Sequence, residues 1–419
     1  MAGLIEECRI CGDKDFEPVL DLGHMPIVDN FLSKSELNRP EKLYPLKTVI
    51  CKNCGLVQLN YVIPKNKLYH SNYAYDMSVT DKGVEHFRRM SEEIVSRFEN
   101  HRRVLDIGSN TGALLEGFKS EKCDVLGVEP SGNVCEIANN RGIPTENTFF
   151  SSQLAEDLLE RKKCRDIITA TNVFAHIDDL HDTLEGVKTL LSDKGVFIIE
   201  VPYLGDLIKK NEFDTIYHEH LSYFSIKPLK QLFKQFDLEI FDIEKQDIHG
   251  GTIRLYVCQK NRYKISESVK EFENYEKKTG IHSQTVLNDF RYRVEENRRK
   301  LVRMVNKIVS SGETVVGVGG PAKGVTLLNY CNFDDNTVPY VTEKSERKIG
   351  KYIPGTHNKV VSDDHLIDDN PEYALLLPWN FSESIIANLE RYLETGGKFI
   401  IPVPEPHIVD SSNFSELKG

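Results

Sequence analysis

The sequence predicts an α/β protein in which a doubly wound sheet domain lies between a cysteine-rich N-terminal module and a smaller C-terminal α/β domain. Apolar strand segments alternate with helical segments between residues 103 and 260, which is typical of a doubly wound sheet. Two C-x-x-C pairs precede that region, and a second strand, glycine turn and helix follow at 314–324. With 419 residues, the chain is long enough for two or three domains.

The elements of the central and C-terminal regions follow in regular order. An amphipathic helix over 80–99 leads into the strand R-V-L-D-I-G, and the strands D-V-L-G-V-E, D-I-I-T-A-T-N-V-F and G-V-F-I-I-E-V-P follow with helices between them. The segments L-E-I-F-D-I-E and G-T-I-R-L-Y-V lie close together, as an antiparallel pair would. Residues 260–310 mix both signs of charge with apolar residues at helical spacing, which predicts long solvated helices. The strands V-P-Y-V-T-E, Y-A-L-L-L-P-W-N and K-F-I-I-P-V-P then predict the second, smaller sheet.

A glycine-rich turn marks the first candidate site. Residues 104–112 read V-L-D-I-G-S-N-T-G, an apolar strand that enters a turn where Gly108 and Gly112 lack a Cβ and let the backbone approach a ligand closely. The next strand ends in G-V-E-P-S at 127–131. In open α/β folds, an acid at the tip of the second strand is placed to bind a ribose diol. Glu129 therefore predicts a cofactor that contains a nucleoside.

The chemistry of this turn favours S-adenosylmethionine over NAD. A dinucleotide site would carry G-x-G-x-x-G and bind a pyrophosphate at a helix N-terminus. A carboxylate at Asp106 would repel phosphate, but it could accept hydrogen bonds from a cationic amino-acid end. The stretch resembles motif I of class I methyltransferases, and Glu129 matches their ribose-binding acid. The expected cofactor contacts are Asp106, Gly108, Asn110, Gly112, Glu129, Ser131 and Asn172.

Composition and charge exclude several classes of function. The net charge of −11 argues against non-specific nucleic-acid binding, which needs a basic surface. No apolar run is long enough to span a bilayer, so no membrane partner is expected. The N-terminal residues M-A-G-L-I-E-E-C lack the basic and apolar regions of a signal peptide. We therefore expect a soluble cytoplasmic protein.

Four of the nine cysteines form a predicted metal site. Cys8 and Cys11 make one C-x-x-C pair, Cys51 and Cys54 make another, and a glycine follows each pair. Two such pairs can form a tetrahedral Cys₄ zinc site in a reducing compartment, where a disulfide is disfavoured. Because four thiolates leave no open coordination position, the zinc is expected to be structural. The other five cysteines are interpreted as core or bystander residues.

A cluster of polar residues at 214–225, D-T-I-Y-H-E-H-L-S-Y-F-S, is the candidate acceptor site. It does not match H-E-x-x-H, so zinc-protease chemistry is not indicated. Histidine has an unperturbed pKa near neutrality and suits proton abstraction, although a single histidine here could equally cap a helix or lie buried and satisfied. Three further segments add polar groups: N-V-F-A-H at 172–176, I-H-G-G-T-I-R at 248–254 and N-Y-A-Y at 72–75.

The order of these motifs along nearly the whole chain resembles one enzyme family. After the cysteine pairs and the glycine turn come Y-H-E-H-L-S-Y-F-S, H-G-G-T-I-R, G-P-A-K-G-x-T-L-L-N-Y and K-Y-I-P-G-T-H. This layout is similar to the three-domain nucleotide-sugar C-methyltransferases that make branched-chain deoxysugars. The resemblance implies a class I, Rossmann-like methyltransferase domain flanked by a zinc-binding module and a smaller C-terminal α/β domain. The expected boundaries are 1–70, 71–260 and 261–419.

The resemblance also implies a reaction and roles for individual residues. Members of the family transfer a methyl group from S-adenosylmethionine to the carbon beside a ketone, usually C3 of a 4-keto-6-deoxy NDP-sugar. His220 matches the family's catalytic histidine and would remove the C3 proton. Tyr217 and His176 would lie near the keto oxygen, and Glu219 would orient a histidine or hold the sugar. The implied NDP-sugar contacts are Tyr75, His249, Lys323, Lys351, Tyr352 and His357.

Two alternatives to this interpretation stay open at the level of sequence. An O- or N-methyltransferase of a sugar or small metabolite would need a base but no enolate. A zinc-ribbon protein that binds nucleic acid or acts as an adaptor would share the cysteine pairs, although the acidic charge balance counts against it.

Overall fold

The computed structural model describes residues 3–69, 81–161, 164–246 and 250–414, and the statements below concern these residues. They form sheets of four, seven and six strands and one two-stranded sheet. Two predicted substrate contacts, Tyr75 and His249, lie outside the described residues. Within the described ranges, no helix combines the length and the apolar character needed to cross a membrane.

The N-terminal module is an antiparallel sheet beside the two cysteine pairs. Its elements are β1 (Gly3–Leu4), β2 (Phe16–Met25), β3 (Tyr44–Cys51), β4 (Val57–Leu59), β5 (Tyr61–Val62) and the short helix α1 (Lys65–Leu68). The strand β3 lies between β2 and β4. Cys51 is the last residue of β3 and pairs with Phe16 at the start of β2. The second cysteine pair therefore begins where the central strand ends, close to the first pair.

The central region is the predicted doubly wound domain, with helices on a seven-stranded sheet. Its strands have the order β12-β13-β10-β9-β6-β7-β8, and β13 runs opposite to the other six. The predicted antiparallel pair is thus confirmed as β12 and β13. The elements are α2 (Asp81–Arg97), β6 (Arg103–Ile107), α3 (Ala113–Ser120), β7 (Asp124–Val128), α4 (Gly132–Asn140), β8 (Thr145–Glu146), α5 (Ser152–Glu160), β9 (Arg165–Thr171), α6 (Leu180–Leu190), β10 (Leu191–Pro202), α7 (Leu204–Lys209), β11 (Ser222–Tyr223), α8 (Ile226–Lys234), β12 (Leu238–Gln246) and β13 (Thr252–Gln259).

The strand order of the central sheet determines where the first candidate site lies. The chain runs outward in one direction from β6 to β7 and β8, and then returns to add β9 on the other side of β6. At such a switch point, a crevice opens beyond the carboxyl ends of the two neighbouring strands, and open α/β folds bind ligands there. The glycine turn at 108–112 follows β6 and therefore lies at this crevice.

The short strand β11 leaves the central sheet and joins the N-terminal module, a junction that the sequence did not predict. It pairs with β4 through Ser222 opposite Gln58 and Tyr223 opposite Val57. The backbone N–H of Leu59 also donates to the carbonyl of Leu221 at 3.0 Å. The segment 211–221, which carries the candidate acceptor residues, is consequently attached at its end to the N-terminal sheet.

The C-terminal region is the predicted second α/β sheet, with the strand order β16-β15-β14-β17-β18-β19. All of its pairs are parallel except that between β18 and β19. Two helices precede it, as predicted, and α10 buries the apolar residues that recur at helical spacing along it. The elements are α9 (Glu267–Thr279), α10 (Gln284–Ser310), β14 (Val315–Val318), α11 (Ala322–Cys331), β15 (Tyr340–Glu343), β16 (Lys359–Ser362), α12 (Asp364–Asp369), β17 (Tyr373–Leu376), α13 (Ser382–Asn388), α14 (Glu390–Glu394), β18 (Lys398–Ile401) and β19 (His407–Val409).

Candidate functional site

The four predicted metal ligands come together in one cluster. Their sulfur atoms all lie within 4.8 Å of one another, with Cys8 and Cys54 3.5 Å apart and Cys11 and Cys51 also 3.5 Å apart. Zinc with thiolates at about 2.3 Å in a tetrahedron needs sulfurs roughly 3.8 Å apart, so the cluster fits the ion. The hydrogen bond to Cys8 and burial both raise the pKa of Cys54. A dication is what allows four adjacent sulfurs, three of them buried, to be thiolates together.

The glycine turn has the backbone that the sequence predicts. Gly108 and Gly112 have φ of 70° and 80°, in the left-handed region that favours glycine. The N–H of Gly108 donates to the carbonyl of Val128 at 2.8 Å, which ties the turn to the end of β7. A Cβ at Gly108 would lie 2.6 Å from Cγ2 of Val173, so no larger residue fits there.

Glu129 is held in place by two backbone N–H groups beside this turn. Its Oε2 accepts from the N–H of Asn110 at 3.0 Å and its Oε1 from the N–H of Ser131 at 2.7 Å. Each carboxylate oxygen keeps lone-pair capacity for a further donor. The side chain is 5% exposed, and burial raises its pKa. This arrangement fits a ribose diol, whose two hydroxyls would donate to the two oxygens.

Asp106 and Asn172 lie at the ends of the two strands that border the crevice. The hydroxyl of Thr169 donates to Asp106 at 2.6 Å, and burial raises the pKa of Asp106 to about 7. Asn172 has φ of 54°, and its Nδ2 is buried without a partner in the described part of the chain. A buried carboxyl group and an unpaired amide fit a ligand with an ammonium and a carboxylate end, because each would gain a complementary partner.

The segment 211–221, the predicted catalytic loop, brings Tyr217 and His220 together. The Tyr217 hydroxyl lies 2.8 Å from Nε2 of His220, and Nδ1 of His220 lies 2.8 Å from the carbonyl oxygen of Thr215. A carbonyl oxygen only accepts, so Nδ1 must carry the hydrogen. In the neutral ring, Nε2 then holds a lone pair that accepts from Tyr217. The fold thus fixes the tautomer of His220 and leaves Nε2 as its basic atom.

A second histidine from another element faces this pair. The ring centroids of His176 and His220 are 4.9 Å apart, and Nδ1 of His176 is 4.0 Å from Oε2 of Glu219. Burial, and then the neighbouring His220, lower the pKa of His176 well below its usual value, so the ring is neutral near pH 7. The N–H of Leu221 donates to the carbonyl of Ala175 at 2.8 Å, which fixes the two segments to each other.

Two residues of this region differ from what sequence reasoning expected. Tyr69, at the end of the N-terminal module, places its hydroxyl 2.9 Å from Nδ1 of His176, although no motif pointed to it. His218, within the motif, faces away: its Nε2 donates to the carbonyl of Pro45 at 3.2 Å. Burial lowers the pKa of His218 to about 4. It is the buried histidine that the alternative interpretation of the motif allowed for.

Lys323 is half-buried between the C-terminal sheet and the predicted catalytic loop. Its Nζ donates to Oδ1 of Asn380 at 2.9 Å and lies 4.7 Å from the ring centroid of Trp379. Burial lowers its pKa, whereas the nearby carboxyl groups of Asp214 and Glu212 raise it. The same burial raises the pKa of Glu212 to about 7. Lys323, an expected NDP-sugar contact, therefore lies close to two acidic side chains of the loop.

A tryptophan links the C-terminal domain directly to the predicted catalytic loop. Nε1 of Trp379 donates to Oδ2 of Asp214 at 2.6 Å. Asp214 lies in the 3₁₀ turn Phe213–Thr215, and the carbonyl of Thr215 is the group that holds Nδ1 of His220. One short turn therefore connects the C-terminal domain to the carbonyl group that fixes the tautomer of His220.

The other expected substrate contacts of the C-terminal domain lie along its contact with the N-terminal module. The backbones of Tyr352 and Leu32 exchange two hydrogen bonds of 2.9 Å. Nε2 of His357 is 2.5 Å from Oε1 of Glu41, and Lys351 is exposed. The structure thus gives Tyr352 and His357 partners from another domain, and their roles toward a substrate stay predictions.

Comparison with known proteins was made against family models, curated sequences and solved structures. Three family models match in order: a zinc binding domain at residues 8–69, a methyltransferase domain at 83–243 and a C-methyltransferase C-terminal domain at 247–404. The C-methyltransferase NovU of Streptomyces niveus is 35% identical over 412 residues, which is 98% of each chain.

Solved structures of other methyltransferases match part of this chain. One is an S-adenosylmethionine-dependent methyltransferase from Clostridium acetobutylicum, 16% identical, which covers 42% of this chain and 92% of its own with a TM-score of 0.33. Another, from Anabaena variabilis, is 16% identical and covers 41% of this chain and 84% of its own, with a TM-score of 0.33.

The family models and the near full-length relative agree with the predicted fold, both predicted cofactors and the predicted reaction class. They favour methyl transfer to carbon over the O- and N-methyltransferase alternatives, and an enzyme over a zinc-ribbon adaptor. The chain therefore belongs to the zinc-containing, S-adenosylmethionine-dependent C-methyltransferases.

Proposed function

We propose that the enzyme methylates an NDP-4-keto-deoxysugar at the carbon beside the ketone, at C3, by way of an enolate. The observation that carries this proposal is the fixed tautomer of His220, whose basic Nε2 lies 2.8 Å from the Tyr217 hydroxyl. A carbon beside a ketone becomes nucleophilic only after it loses a proton, so the site needs a base and a group that stabilises the oxyanion. His220 and Tyr217 supply one of each within a single loop.

The electron pairs of the reaction can be followed through these residues. Nε2 of His220 takes the C3 proton, the C–H electron pair becomes the C3–C4 double bond, and negative charge develops on the C4 oxygen. The Tyr217 hydroxyl turns from Nε2 to donate to that oxygen. His176 is neutral, so one of its ring nitrogens carries a hydrogen and can donate a hydrogen bond to that oxygen. Glu219, 4.0 Å from His176, orients that ring.

S-adenosylmethionine supplies an electrophilic methyl group when it is bound. Glu129 would hold its ribose, and Asp106 and Asn172 would hold its amino-acid end, at the crevice next to the His176 segment. Because Asn172 and His176 belong to the same short segment after β9, the donor and the acceptor share one wall of the site. Positioning of the two reactants is then the main further requirement for methyl transfer.

A labelling experiment tests the proposed substrate and the bond that forms. The protein is incubated with methyl-labelled S-adenosylmethionine and a panel of NDP-4-keto-6-deoxysugars, and the products are analysed by NMR. We expect one new methyl group attached to carbon and no methoxy or N-methyl signal. Label in a methoxy or N-methyl group, or no transfer to any sugar of the panel by protein that binds S-adenosylmethionine, would contradict the proposal.

The link between Trp379 and the catalytic loop predicts an effect on turnover. Trp379→Phe replaces the indole by a smaller aromatic ring, and Asp214 loses the donor 2.6 Å from its Oδ2 while it stays buried. The turn that holds His220 should then move, and misplacement of about 1 Å costs up to about a hundredfold in rate. We expect kcat to fall about ten- to a hundredfold, with KM for S-adenosylmethionine unchanged.

A matched variant controls for stability in this experiment. Tyr392 is fully buried in the same domain, and its hydroxyl donates to the carbonyl of Pro371 at 2.8 Å, away from the catalytic loop. Tyr392→Phe should lower the free energy of unfolding by about 1 kcal/mol and keep kcat. Equal losses of kcat in the two variants would show that Trp379 acts only through stability.

A further inference from the structure

Tyr69 reaches the candidate acceptor site from the N-terminal module. It directly follows the short helix α1, and its backbone N–H donates to the carbonyl of Lys65 at 2.8 Å. Its ring makes an edge contact with Phe149, with the ring centroids 6.3 Å apart, and its hydroxyl lies 2.9 Å from Nδ1 of His176. The backbone and the ring are thus both held, so the hydroxyl has a defined position against one nitrogen of His176.

The two ring nitrogens of His176 have different surroundings. Nδ1 faces the Tyr69 hydroxyl, whereas Nε2 makes no hydrogen bond within the part of the chain that the structure describes. The side chain of His176 keeps 14% of its surface exposed, and the ring of His220 lies beside it with the centroids 4.9 Å apart. Nε2 is therefore the nitrogen that is left for a ligand.

The Tyr69 hydroxyl keeps its hydrogen at neutral pH. Burial raises the pKa of this phenol well above its usual value, and the charges of Glu219, Glu129 and Asp29 act in the same direction. Oε2 of Glu219 is 4.0 Å from Nδ1 of His176, which is beyond hydrogen-bond distance. A neutral imidazole accepts at one nitrogen and donates at the other. A hydrogen bond from Tyr69 to Nδ1 therefore places the hydrogen of His176 on Nε2.

We propose that Tyr69 is a positioning residue, which donates to Nδ1 of His176 and thereby fixes the tautomer that presents Nε2–H to the acceptor. The inference rests on the proposed function, in which His176 donates to the C4 oxygen as the enolate forms. The opposite tautomer would present a lone pair to that oxygen and could not stabilise the developing charge. The N-terminal module thus supplies, besides its metal site, a side chain that prepares the acceptor site for the reaction.

NMR of the resting enzyme tests the tautomer without any acceptor. Wild type, Tyr69→Phe and His176→Gln are prepared with ¹⁵N-labelled histidine and bound to S-adenosylhomocysteine, and the signals of His176 are those that His176→Gln lacks. Correlations between the ring hydrogens and the two nitrogens show which nitrogen is protonated. We expect Nε2–H in the wild type and both tautomers in Tyr69→Phe, because loss of one hydrogen bond shifts such an equilibrium by about three- to tenfold.

Two spectra would overturn the inference. One is Nδ1–H in the wild type, and the other is an unchanged tautomer in Tyr69→Phe. By contrast, the expected spectra together with no methylation of any keto-sugar would overturn the proposed function and leave the role of Tyr69 toward His176 standing.

A double-mutant cycle tests whether Tyr69 acts through His176. Tyr69→Phe should lower kcat and the rate of C3 hydrogen exchange by about three- to tenfold in the wild type and have no further effect in His176→Gln. KM for S-adenosylmethionine should stay unchanged. Equal losses in both backgrounds would overturn the inference, because a merely structural role does not depend on His176. Tyr263→Phe, the matched control, removes a hydroxyl that donates to the carbonyl of Lys194 at 2.8 Å and should change neither rate.

Discussion

His220→Ala is expected to lower methyl transfer by about 10²- to 10⁴-fold, the usual contribution of a positioned general base. The reason lies in its tautomer: the carbonyl of Thr215 accepts from Nδ1–H at 2.8 Å, so Nε2 is the basic atom of the ring. Alanine removes that atom but leaves the cofactor crevice intact, so affinity for S-adenosylhomocysteine should not change. The measurement is turnover of the NDP-4-keto-sugar together with exchange of its C3 hydrogen in deuterated solvent.

Exchange of the C3 hydrogen distinguishes the base, which removes that proton, from the groups that stabilise the enolate afterwards. His220→Ala should lose exchange and methylation together, because both need the C3 proton to leave. Tyr217→Phe should keep exchange at a reduced rate, because Nε2 remains while a donor to the oxyanion is lost. If Tyr217→Phe abolished exchange and His220→Ala retained it, Tyr217 would be the base and the assignment would be wrong.

A histidine of the same loop provides the matched control. His218 is buried against Pro45 of the N-terminal module and does not face the His176 ring. His218→Gln keeps a donor for the Pro45 carbonyl, so the folded protein should retain exchange. Loss of exchange in this variant at normal thermal stability would show that the whole loop, and not Nε2 of His220, is needed.

Removal of zinc is expected to abolish turnover as completely as removal of the base. Structural zinc sites contribute an apparent 10–16 kcal/mol to folding, which is about as much as the whole 5–15 kcal/mol stability of a typical domain. Cys51 ends β3, which pairs with β4, and β4 pairs with β11 directly after His220. Loss of the ion should therefore unfold the N-terminal sheet and release the end of the catalytic loop.

Chelation and a cysteine substitution test this expectation together. Zinc content, melting temperature, affinity for S-adenosylhomocysteine and turnover are measured for chelated wild type and for Cys51→Ser. Turnover should be lost, and cofactor affinity should fall much less, because Glu129 and Asp106 lie on the central sheet. Cys123→Ser, a buried cysteine outside the cluster, should retain its zinc. Full turnover by zinc-free protein would contradict the prediction.

The features that could be predicted from the sequence are those that depend on residues close together in the chain. The glycine turn, Glu129 and the cysteine pairs each depend on a short pattern whose backbone consequence is nearly independent of the rest of the fold. The fold class followed because alternating strands and helices allow few topologies. Tyr217 and His220 are likewise only three positions apart in the sequence, so their contact depends on local structure.

The features it missed depend on contacts between distant parts of the chain. Trp379 and Asp214 are 165 positions apart, and Tyr69 and His176 are 107 apart. No periodicity or motif links such pairs, since only the packing of three domains brings them together. The pairing of β11 with β4 was also not predicted. A strand of two residues is too short to leave a recognisable pattern in the sequence.

The bond between Trp379 and Asp214 gives the protein a built-in optical signal. Trp379 is the only tryptophan of the chain, so all of its indole fluorescence arises at this one junction. The emission of an indole depends on its hydrogen-bond partner and on nearby charge, here Asp214 and the ammonium of Lys323. Movement of the C-terminal domain against the catalytic loop therefore changes the light emitted by the unlabelled wild type, and stopped-flow mixing can time that movement relative to methyl transfer.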